Sequence, residues 1–263
     1  MKRGLMVLIL ALVLLCGLQA QSLKGMSLNG ATGLYTIPSA RIGWEARANV
    51  GLDFGFGVIF PDNRDANFIP RLAVSLFKLF EVSGAFDIQG EYDNDFLLGL
   101  KFQLPTQGSA VALGVNFQAI KTPLLGSSYD RNATQIYGAI TYPGTFFRMP
   151  AETSVVIGHT FVEKTTADDK NFDFGMGFDL NLAPDVFSNL VHWVVDFANF
   201  SYSYDARGSN ASARGSLNTG LRFDFASLPQ LSRYKFAVDL MFLDLFDSNR
   251  TFALSAVFGI PIN

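Results

Sequence analysis

The sequence is poor in cysteine, in histidine and in long apolar runs, and each shortage excludes a class of protein. Its one cysteine, Cys16, lies within the first 20 residues, so no disulfide can hold the rest of the chain together. Only His159 and His192 are available for histidine-based acid–base or metal chemistry. Beyond the N-terminus there is no run of about 18 or more apolar residues, which excludes a helical membrane protein.

Charged residues are also scarce, at 16% of the 263 residues. The first 20 residues begin with two basic residues, continue through an apolar core and end at Ala20, a pattern that predicts a secretory signal peptide cleaved after that residue. The alternative is a lipoprotein signal acylated at Cys16, but Leu15 stands where a small residue is expected. Without residues 1–20 the chain has 18 basic and 23 acidic residues, and it lacks the basic cluster that nucleic-acid binding requires.

What the sequence does contain is a strict alternation of apolar residues with polar residues or glycine. Residues 171–182, NFDFGMGFDLNL, are the clearest case, because all six even-numbered positions are apolar. Successive side chains of a strand point to opposite faces, so this segment predicts a strand with one apolar face and one small, hydrophilic face. At roughly 3.3 Å per residue it would span about 40 Å, which is longer than strands of soluble domains usually are.

The same alternation recurs along the chain and predicts about twelve strands. It is clear in five further segments, at residues 44–60, 96–104, 111–118, 216–225 and 252–262. Further candidate strands lie near residues 68–77, 81–90, 134–142, 153–162, 191–204 and 234–246. The connections alternate between long polar loops, such as 121–133, and connections with Pro and Gly. This is the pattern expected of an up-and-down meander with an even number of strands.

Two kinds of β-protein fit such a pattern. A soluble sandwich or lipocalin-like barrel would turn its apolar face inward. Here the polar face carries repeated glycines and ionic residues, which suit the inside of a narrow barrel better than a water-facing exterior. A β-structure that crosses a bilayer must close, and alternating segments of about ten residues with aromatic residues near their ends are typical of such barrels. We therefore predict an all-β, closed antiparallel up-and-down transmembrane β-barrel in the bacterial outer membrane.

The predicted organisation has three parts: a signal peptide at 1–20, a segment at 21–43 that is periplasmic or plugs the lumen, and a barrel at 44–263. The candidate lumen-lining residues are Glu45, Arg47, Asn49, Asp53, Lys101, Gln103, Asn116, Gln118, Asp173, Asp179, Arg222 and Asp224. If the lumen is open, the protein is a narrow, porin-like channel for small hydrophilic solutes, with selectivity set by these groups. If the charges pair and seal the lumen, it is a non-conducting scaffold or a surface-exposed barrel.

One stretch carries a resemblance to a known family. Residues 28–57, LNGATGLYTIPSARIGWEARANVGLDFGFG, include Gly33-Leu34-Tyr35-Thr36-Ile37-Pro38-Ser39-Ala40 just before the first predicted strand. This resembles the opening of YjbH-type outer-membrane barrels, in which a Gly-Leu-x-x-x-Pro-Ser/Thr-Ala segment leads into the first strand. The resemblance implies an outer-membrane barrel and a link to exopolysaccharide or envelope biogenesis. YjbH-type proteins are much longer, however, and have additional domains.

The remaining candidate functional features are the C-terminal strand, the two histidines and the acidic stretches. The chain ends in Asn263 rather than in an aromatic assembly signal, and Phe258 is a candidate substitute for recognition by the barrel assembly machinery. No nucleophile, base and orienting group can be assembled around either histidine. The acidic stretches 62–65 and 168–169 have no EF-hand spacing and are interpreted as solvated loops. We predict a non-enzyme with no cofactor and no metal, whose partners are outer-membrane lipid and the assembly machinery.

Overall fold

The computed structural model describes residues 25–61, 65–89, 94–106, 108–124, 127–163, 172–203, 215–246 and 250–262. The predicted signal peptide lies outside these residues. Within them the chain forms twelve antiparallel strands and two short helical turns. None of the helical turns in the described ranges is long and apolar enough to cross a membrane.

The strands follow one another in sequence with short or medium connections. They are β1 (Val50–Phe60), β2 (Asn67–Leu76), β3 (Phe80–Ile88), β4 (Asn94–Leu104), β5 (Ala110–Leu124), β6 (Ser127–Phe146), β7 (Met149–Val162), β8 (Asp173–Asn181), β9 (Val191–Ala198), β10 (Ser216–Asp224), β11 (Lys235–Leu243) and β12 (Thr251–Ile262). A four-residue helix, α1 (Pro184–Phe187), lies between β8 and β9, and a 3-10 turn at Phe225–Ser227 follows β10.

The sheet closes on itself. Each strand pairs with its neighbours in sequence, and β1 pairs with β12 from Val50 opposite Ile262 to Phe60 opposite Phe252. Closure gives every strand a hydrogen-bonding neighbour on both sides. No strand edge is then left with unpaired backbone N–H and C=O groups, for which lipid offers no hydrogen-bond partner. The predicted fold class, a closed antiparallel up-and-down barrel of about twelve strands, is confirmed.

The two faces of each strand differ in character as the alternation predicted. In β10, Leu221 is 38% exposed on the outside while the next residue, Arg222, is fully buried. In β8, Asp173 is buried while Met176 is exposed. An exterior covered with Phe, Leu, Ile and Val is stable against lipid tails rather than water. The prediction that the apolar rows face outward is therefore confirmed.

The two rims of the barrel are different. β1 begins and β12 ends at one rim, which we call the turn end because it carries the tightest turns. The two residues between β6 and β7, Phe147 and Arg148, both have positive φ, as a two-residue hairpin turn requires. In the three-residue turn between β2 and β3, Phe77 and Lys78 also have positive φ. We call the opposite rim the loop end, since it carries the longer polar connections. In bacterial barrels short turns face the periplasm and longer loops face outward.

Two predicted boundaries are wrong. β1 begins at Val50 rather than at residue 44, because its neighbours β2 and β12 end opposite Val50, at Leu76 and Ile262. Earlier residues therefore have no strand to pair with. The predicted loop at 121–133 is mostly strand: β5 extends to Leu124, and β6 pairs with it along its whole length.

Candidate functional site

The lumen is occupied by the chain's own N-terminal segment. Every residue from 25 to 44, which we call the plug segment, is buried. Most of its apolar side chains, from Leu28 to Ala40, form a hydrophobic cluster with inward-facing strand residues such as Ile59, Val194 and Met241. Met26 packs separately, with Ala73 and Val257. The inner face of the wall is thus less polar than the alternation predicted, because much of it packs against the plug segment instead of water.

The plug segment is bent sharply on itself. Two isolated antiparallel bridges, Met26 with Thr32 and Gly33 with Pro38, hold the two bends. Its fully buried aliphatic side chains are Leu28, Leu34, Ile37 and Ile42. Burying one such side chain is worth about 1.5–3 kcal/mol relative to leaving it exposed, so these four residues alone strongly favour the seated position of the segment.

Glycines on the inner face of the wall provide the space for these side chains. A Cβ atom at Gly51 would overlap the indole of Trp44, and one at Gly177 would lie 2.6 Å from Cδ1 of Leu34. Met26 and Leu28 lie against two further inner-face glycines, and Ile37 against a third. The glycine-rich register that stands out in the sequence is therefore complementary in shape to the plug segment.

Asp196 on β9 is the principal polar anchor of the plug segment. Its Oδ2 accepts hydrogen bonds from the backbone N–H groups of Tyr35 at 2.9 Å and Thr36 at 2.8 Å. Its Oδ1 accepts from the Thr36 hydroxyl at 2.8 Å and from Nδ2 of Asn218 at 2.6 Å. All four donors are neutral, so this carboxylate is satisfied by dipoles and not by a cation.

A second carboxylate, Glu81 on β3, anchors the other bend. Its Oε1 accepts from the Thr32 N–H at 2.8 Å, and its Oε2 accepts from the Thr32 hydroxyl at 2.6 Å. Lys101 on β4 pairs with the same carboxylate at 2.8 Å and also donates to the Thr32 carbonyl at 3.1 Å. Thr32 is thus held by both members of a buried ion pair.

The plug segment is fastened at the turn end by Arg41 and Trp44, which we call the turn-end latch. The Arg41 guanidinium pairs with Glu152 of β7 at 3.0 Å and with Glu45 at 3.1 Å. The indole N–H of Trp44 donates to Asp53 of β1 at 2.8 Å. Both contacts lie where the segment continues into the first strand, so they fix its point of attachment to the wall.

The wall also carries ion pairs of its own. The Arg222 guanidinium binds Asp239 through two nitrogens, at 2.8 and 3.1 Å, and binds Asp179 at 2.8 Å. Lys235 pairs with Asp53 at 2.6 Å. Such buried pairs are strong because water screens them poorly. The Arg222–Asp239 pair joins the neighbouring strands β10 and β11, whereas the pairs with Asp179 and Asp53 each reach past one intervening strand.

At the loop end the chain that follows β9 turns into the lumen. Phe200 and Tyr202 are both buried, and the Tyr202 hydroxyl donates to Asp87 of β3 at 2.9 Å. Burial, with the Asp87 carboxylate adding to it, holds the pKa of Tyr202 well above its usual value. Burial also raises the pKa of the Tyr35 hydroxyl in the plug segment. Both phenols therefore stay protonated at neutral pH.

Most of the predicted lumen-lining residues face inward from the wall. These are Asp53, Lys101, Gln103, Asn116, Gln118, Asp173, Asp179, Arg222 and Asp224. The structure brings Asp179 and Arg222 into contact, but it places the two amides elsewhere: Asn116 donates to Gln135 at 3.1 Å and Gln118 donates to Asp95 at 2.9 Å.

Three predicted lining residues do not lie on a strand, since β1 starts after them. Glu45 is half-buried beside Arg41, Arg47 is exposed and donates to the Ser232 carbonyl at 2.9 Å, and Asn49 is exposed at the turn end. The assignment of these three residues to the strand wall is therefore corrected. Their alternation with apolar neighbours continues the pattern of β1, but the chain bends into the lumen before them.

Several inward-facing charges were missed by the sequence reasoning. They are Arg71, Glu81, Asp87, Asp95, Glu152, Asp196, Lys235 and Asp239. Most lie in segments that were predicted as strands without assigning their faces; Asp95 was placed in a loop, and Glu152 directly precedes the predicted strand at 153–162. The same period of two could have found them, since Asp196 stands between Val195 and Phe197, both on the outer register.

Neither histidine lies in a catalytic arrangement within the described residues. His159 is on the outer register, where its ring stands edge-on to the Phe161 ring with the two ring centroids 4.4 Å apart. His192 is buried and contacts Asp179 at 2.6 Å and the Asn189 carbonyl at 3.2 Å. No group of three potential metal ligands occurs in the part of the chain that the structure describes. Residues 62–64 and the acidic stretch at 168–169 lie outside that part.

The sequence matches no protein-family model and no curated protein. Its fold is similar to solved porins. The KdgM porin aligns with a TM-score of 0.50 at 6% identity, covering 81% of this chain and 99% of that chain. KdgM porin in complex with disordered oligogalacturonate gives 0.51 at 8% identity, over the same shares of the two chains. The outer membrane protein Omp33 of Acinetobacter baumannii gives 0.48 at 12% identity, covering 80% of this chain and 97% of that one.

At such low identity the likeness establishes the fold alone. The alignment with the two KdgM porin structures covers 99% of those chains. The likeness shows that this chain has a porin-like β-barrel fold, and the apolar exterior described above suits a lipid bilayer.

Proposed function

We propose that the protein is a porin-like channel for small hydrophilic solutes, closed by the plug segment in the conformation described here. The observation that carries the proposal is that the plug segment contributes no strand to the closed sheet. All twelve strands pair with one another around the ring, so the wall keeps its hydrogen-bond ladder whether or not the segment is seated.

The contacts that seat the plug segment are reversible. It is held by burial of apolar side chains, by hydrogen bonds to Asp196 and Glu81, and by the turn-end latch. A hydrogen bond of this kind contributes about 0.5–1.5 kcal/mol, or about 1.5–3 kcal/mol when one partner is charged. Displacing the segment would leave a closed barrel whose inner face carries the polar residues predicted to line the lumen. The similar KdgM structures are porins, which supports a transport role.

A second candidate function is a non-conducting scaffold. It is favoured by the hydrophobic cluster that joins the plug segment to the wall, including Leu34 and Met241, because such a cluster also stabilises a barrel that never opens. The resemblance of residues 28–57 to YjbH-type barrels would connect a scaffold of this kind with exopolysaccharide or envelope biogenesis.

Either function requires that the chain be exported and assembled in the bacterial outer membrane. We infer that residues 1–20 are removed after Ala20, that residues 21–43 form the plugging part, and that 44–263 form the barrel, with the strand wall beginning at Val50. Insertion would be carried out by the barrel assembly machinery, with Phe258 in β12 as the candidate aromatic signal.

Planar-bilayer recording of the purified full-length protein distinguishes the two functions. The wild-type protein is expected to be mostly closed with rare conductance steps. In the double variant Arg41→Ala/Trp44→Ala, loss of about 1.4 kcal/mol of seating energy would raise the open fraction about tenfold. The control Arg233→Ala removes an exposed cation from the turn end without touching the plug segment.

Folding is checked independently of conductance by the heat-modifiable mobility of the barrel on gels. If the wild type and the latch variant both run as folded barrels and both leave the bilayer silent, the channel is rejected and the scaffold is retained.

A further inference from the structure

The inner face of the wall is strongly acidic. The inward-facing carboxylates of the described strands are those of Asp53, Glu81, Asp87, Asp95, Glu152, Asp173, Asp179, Asp196, Asp224 and Asp239. Among the strand residues whose side chains are described, which leaves out 121–131, the inward-facing cations are Arg71, Lys101, Arg222 and Lys235, with His192 as a further titratable group. Negative charge therefore predominates by ten groups to four along the described wall.

The wall's cations are already engaged. Arg222 is taken up by Asp179 and Asp239, and Lys101 and Lys235 are each paired with one carboxylate. Arg71 donates to the Met26 carbonyl of the plug segment at 2.8 Å. Arg71 forms no ion pair among the described residues, but it is one of the four cations already counted, so the described wall keeps an excess of six carboxylates over cations.

The plug segment covers this surface with neutral donors. It contains a single charged residue, Arg41. At Asp196 it supplies two backbone N–H groups and one hydroxyl instead of a cation. When the segment is displaced, the Asp196 carboxylate keeps only Asn218 among these donors.

A second carboxylate, Asp173, also lacks a cationic partner among the described residues, and its described contacts do not involve the plug segment. Asp173, at the loop end of β8, is buried and faces the lumen. Its Oδ2 accepts from Gln135 at 2.8 Å and from the Thr160 hydroxyl, both neutral. Its Oδ1 is buried without a hydrogen-bond partner. A buried carboxylate with one oxygen that no donor satisfies is a site that a cation can stabilise.

Asp173 and Asp196 lie on the neighbouring strands β8 and β9, where Gly177 stands opposite Asp196. At roughly 3.3 Å per residue, the four-residue offset from Asp173 to Gly177 places the two carboxylates about 13 Å apart along the wall. Carboxylates spaced along a narrow pore lower the barrier for cations and raise it for anions.

We propose that the opened lumen is selective for small cations, namely alkali-metal ions and protonated amines, and that Asp173 and Asp196 carry this selectivity. The proposal rests on the channel function proposed above. It names the solute class by charge. It assigns the selectivity to Asp196, which loses three neutral donors when the plug segment is displaced, and to Asp173, which has one oxygen without a hydrogen-bond partner.

The test is the reversal potential of the full-length Arg41→Ala/Trp44→Ala protein in a planar bilayer under a KCl gradient. The permeability ratio of K⁺ to Cl⁻ is expected to be well above one. It should fall at least about twofold on Asp173→Asn and further on Asp173→Asn/Asp196→Asn, because each change removes one fixed negative charge from the pore. The control Asp185→Asn removes a carboxylate from exposed helix α1, outside the lumen, and should leave the ratio unchanged.

The outcomes are separable. A ratio at or below one, or a ratio that ignores both lumen substitutions, overturns the cation assignment while leaving the channel in place. A folded but silent protein overturns the channel and this inference with it. If the latch variant fails to fold, the same potential is measured on wild-type openings at high voltage. Asp173→Asn alone can then be used, because Asp173 makes no described hydrogen bond to the plug segment.

Discussion

The indole ring of Trp44 lies directly over Gly51, in the space that a side chain at position 51 would otherwise fill. Because Gly51 is the second residue of β1, this contact joins the plug segment to the wall a few residues after the chain leaves the lumen. The relationship makes a single methyl group a sensitive probe of whether the segment is seated.

Gly51→Ala is expected to displace Trp44, since the added Cβ overlaps the ring. Trp193, the other tryptophan, is 38% exposed on the outer face, so the measurement is made in a Trp193→Phe background. The Trp44 emission should shift to the red and become accessible to acrylamide. Gly144→Ala is the matched control, because a Cβ at Gly144 meets no atom within 4 Å. An unshifted emission in Gly51→Ala would contradict the seating described here.

Asp196→Asn is expected to loosen the middle of the plug segment. The carboxylate accepts hydrogen bonds from the backbone N–H groups of both Tyr35 and Thr36, and an amide offers one accepting oxygen in place of two. Hydrogen exchange at these two amides should become faster, with an opening free energy lower by about 1–3 kcal/mol. Asp65→Asn, a change at an exposed position of the β1–β2 connection, should leave the exchange as it is. Equal protection in both variants would mean that Asp196 does not anchor the segment.

Arg222→Leu is expected to destabilise the barrel itself. It leaves Asp179 and Asp239 buried without their shared cation, and removing one member of a buried ion pair typically costs about 3–5 kcal/mol. The temperature at which gel mobility changes should fall accordingly. Neutralising both carboxylates in the same chain, with Asp179→Asn and Asp239→Asn, should recover part of the loss. Arg233→Leu in an exposed turn is expected to stay within about 0.5 kcal/mol of wild type.

Leu98→Arg tests the direction of the apolar face. Leu98 is 46% exposed near the middle of β4, where an arginine facing lipid costs about 2–4 kcal/mol. Phe246→Arg places the same side chain at the loop-end rim, at a residue that is 66% exposed, where the cost is about 0–1 kcal/mol. Urea titration of folding into lipid vesicles measures both. Equal losses at the two positions would be incompatible with a bilayer around the middle of the barrel.

The strands and their outer faces could be predicted because they depend on a local rule. When apolar and polar residues alternate along a segment, its two faces can be assigned without knowing its neighbours. Leu221 and Arg222 were therefore assigned to opposite faces correctly. The start of β1 could not be predicted in this way. The alternation of Trp44, Ala46 and Ala48 is as regular as that of the strand proper, but a strand also requires partners, and the partners end opposite Val50.

The contents of the lumen were harder still to predict. β11 carries apolar residues on both faces, with Met241 inward and Phe242 outward, and such a run gives no sign of which neighbour fills the interior. The shape match between the wall glycines and the plug segment depends on residues far apart in sequence. Glycine in a strand marks a close approach, yet the approaching partner of Gly177 is Leu34, which only the assembled barrel reveals.

Thr36 and Asp196 are 160 residues apart in the chain. The anchor of the segment therefore does not exist until the ninth strand has been made and has joined the sheet. Contacts of such long range form late, because closing a large loop of chain is entropically unfavourable before other structure supports it. The plug segment is translated before any strand, yet it should be among the last parts of the chain to gain hydrogen-exchange protection during refolding. The strand wall would then close before the segment settles inside it.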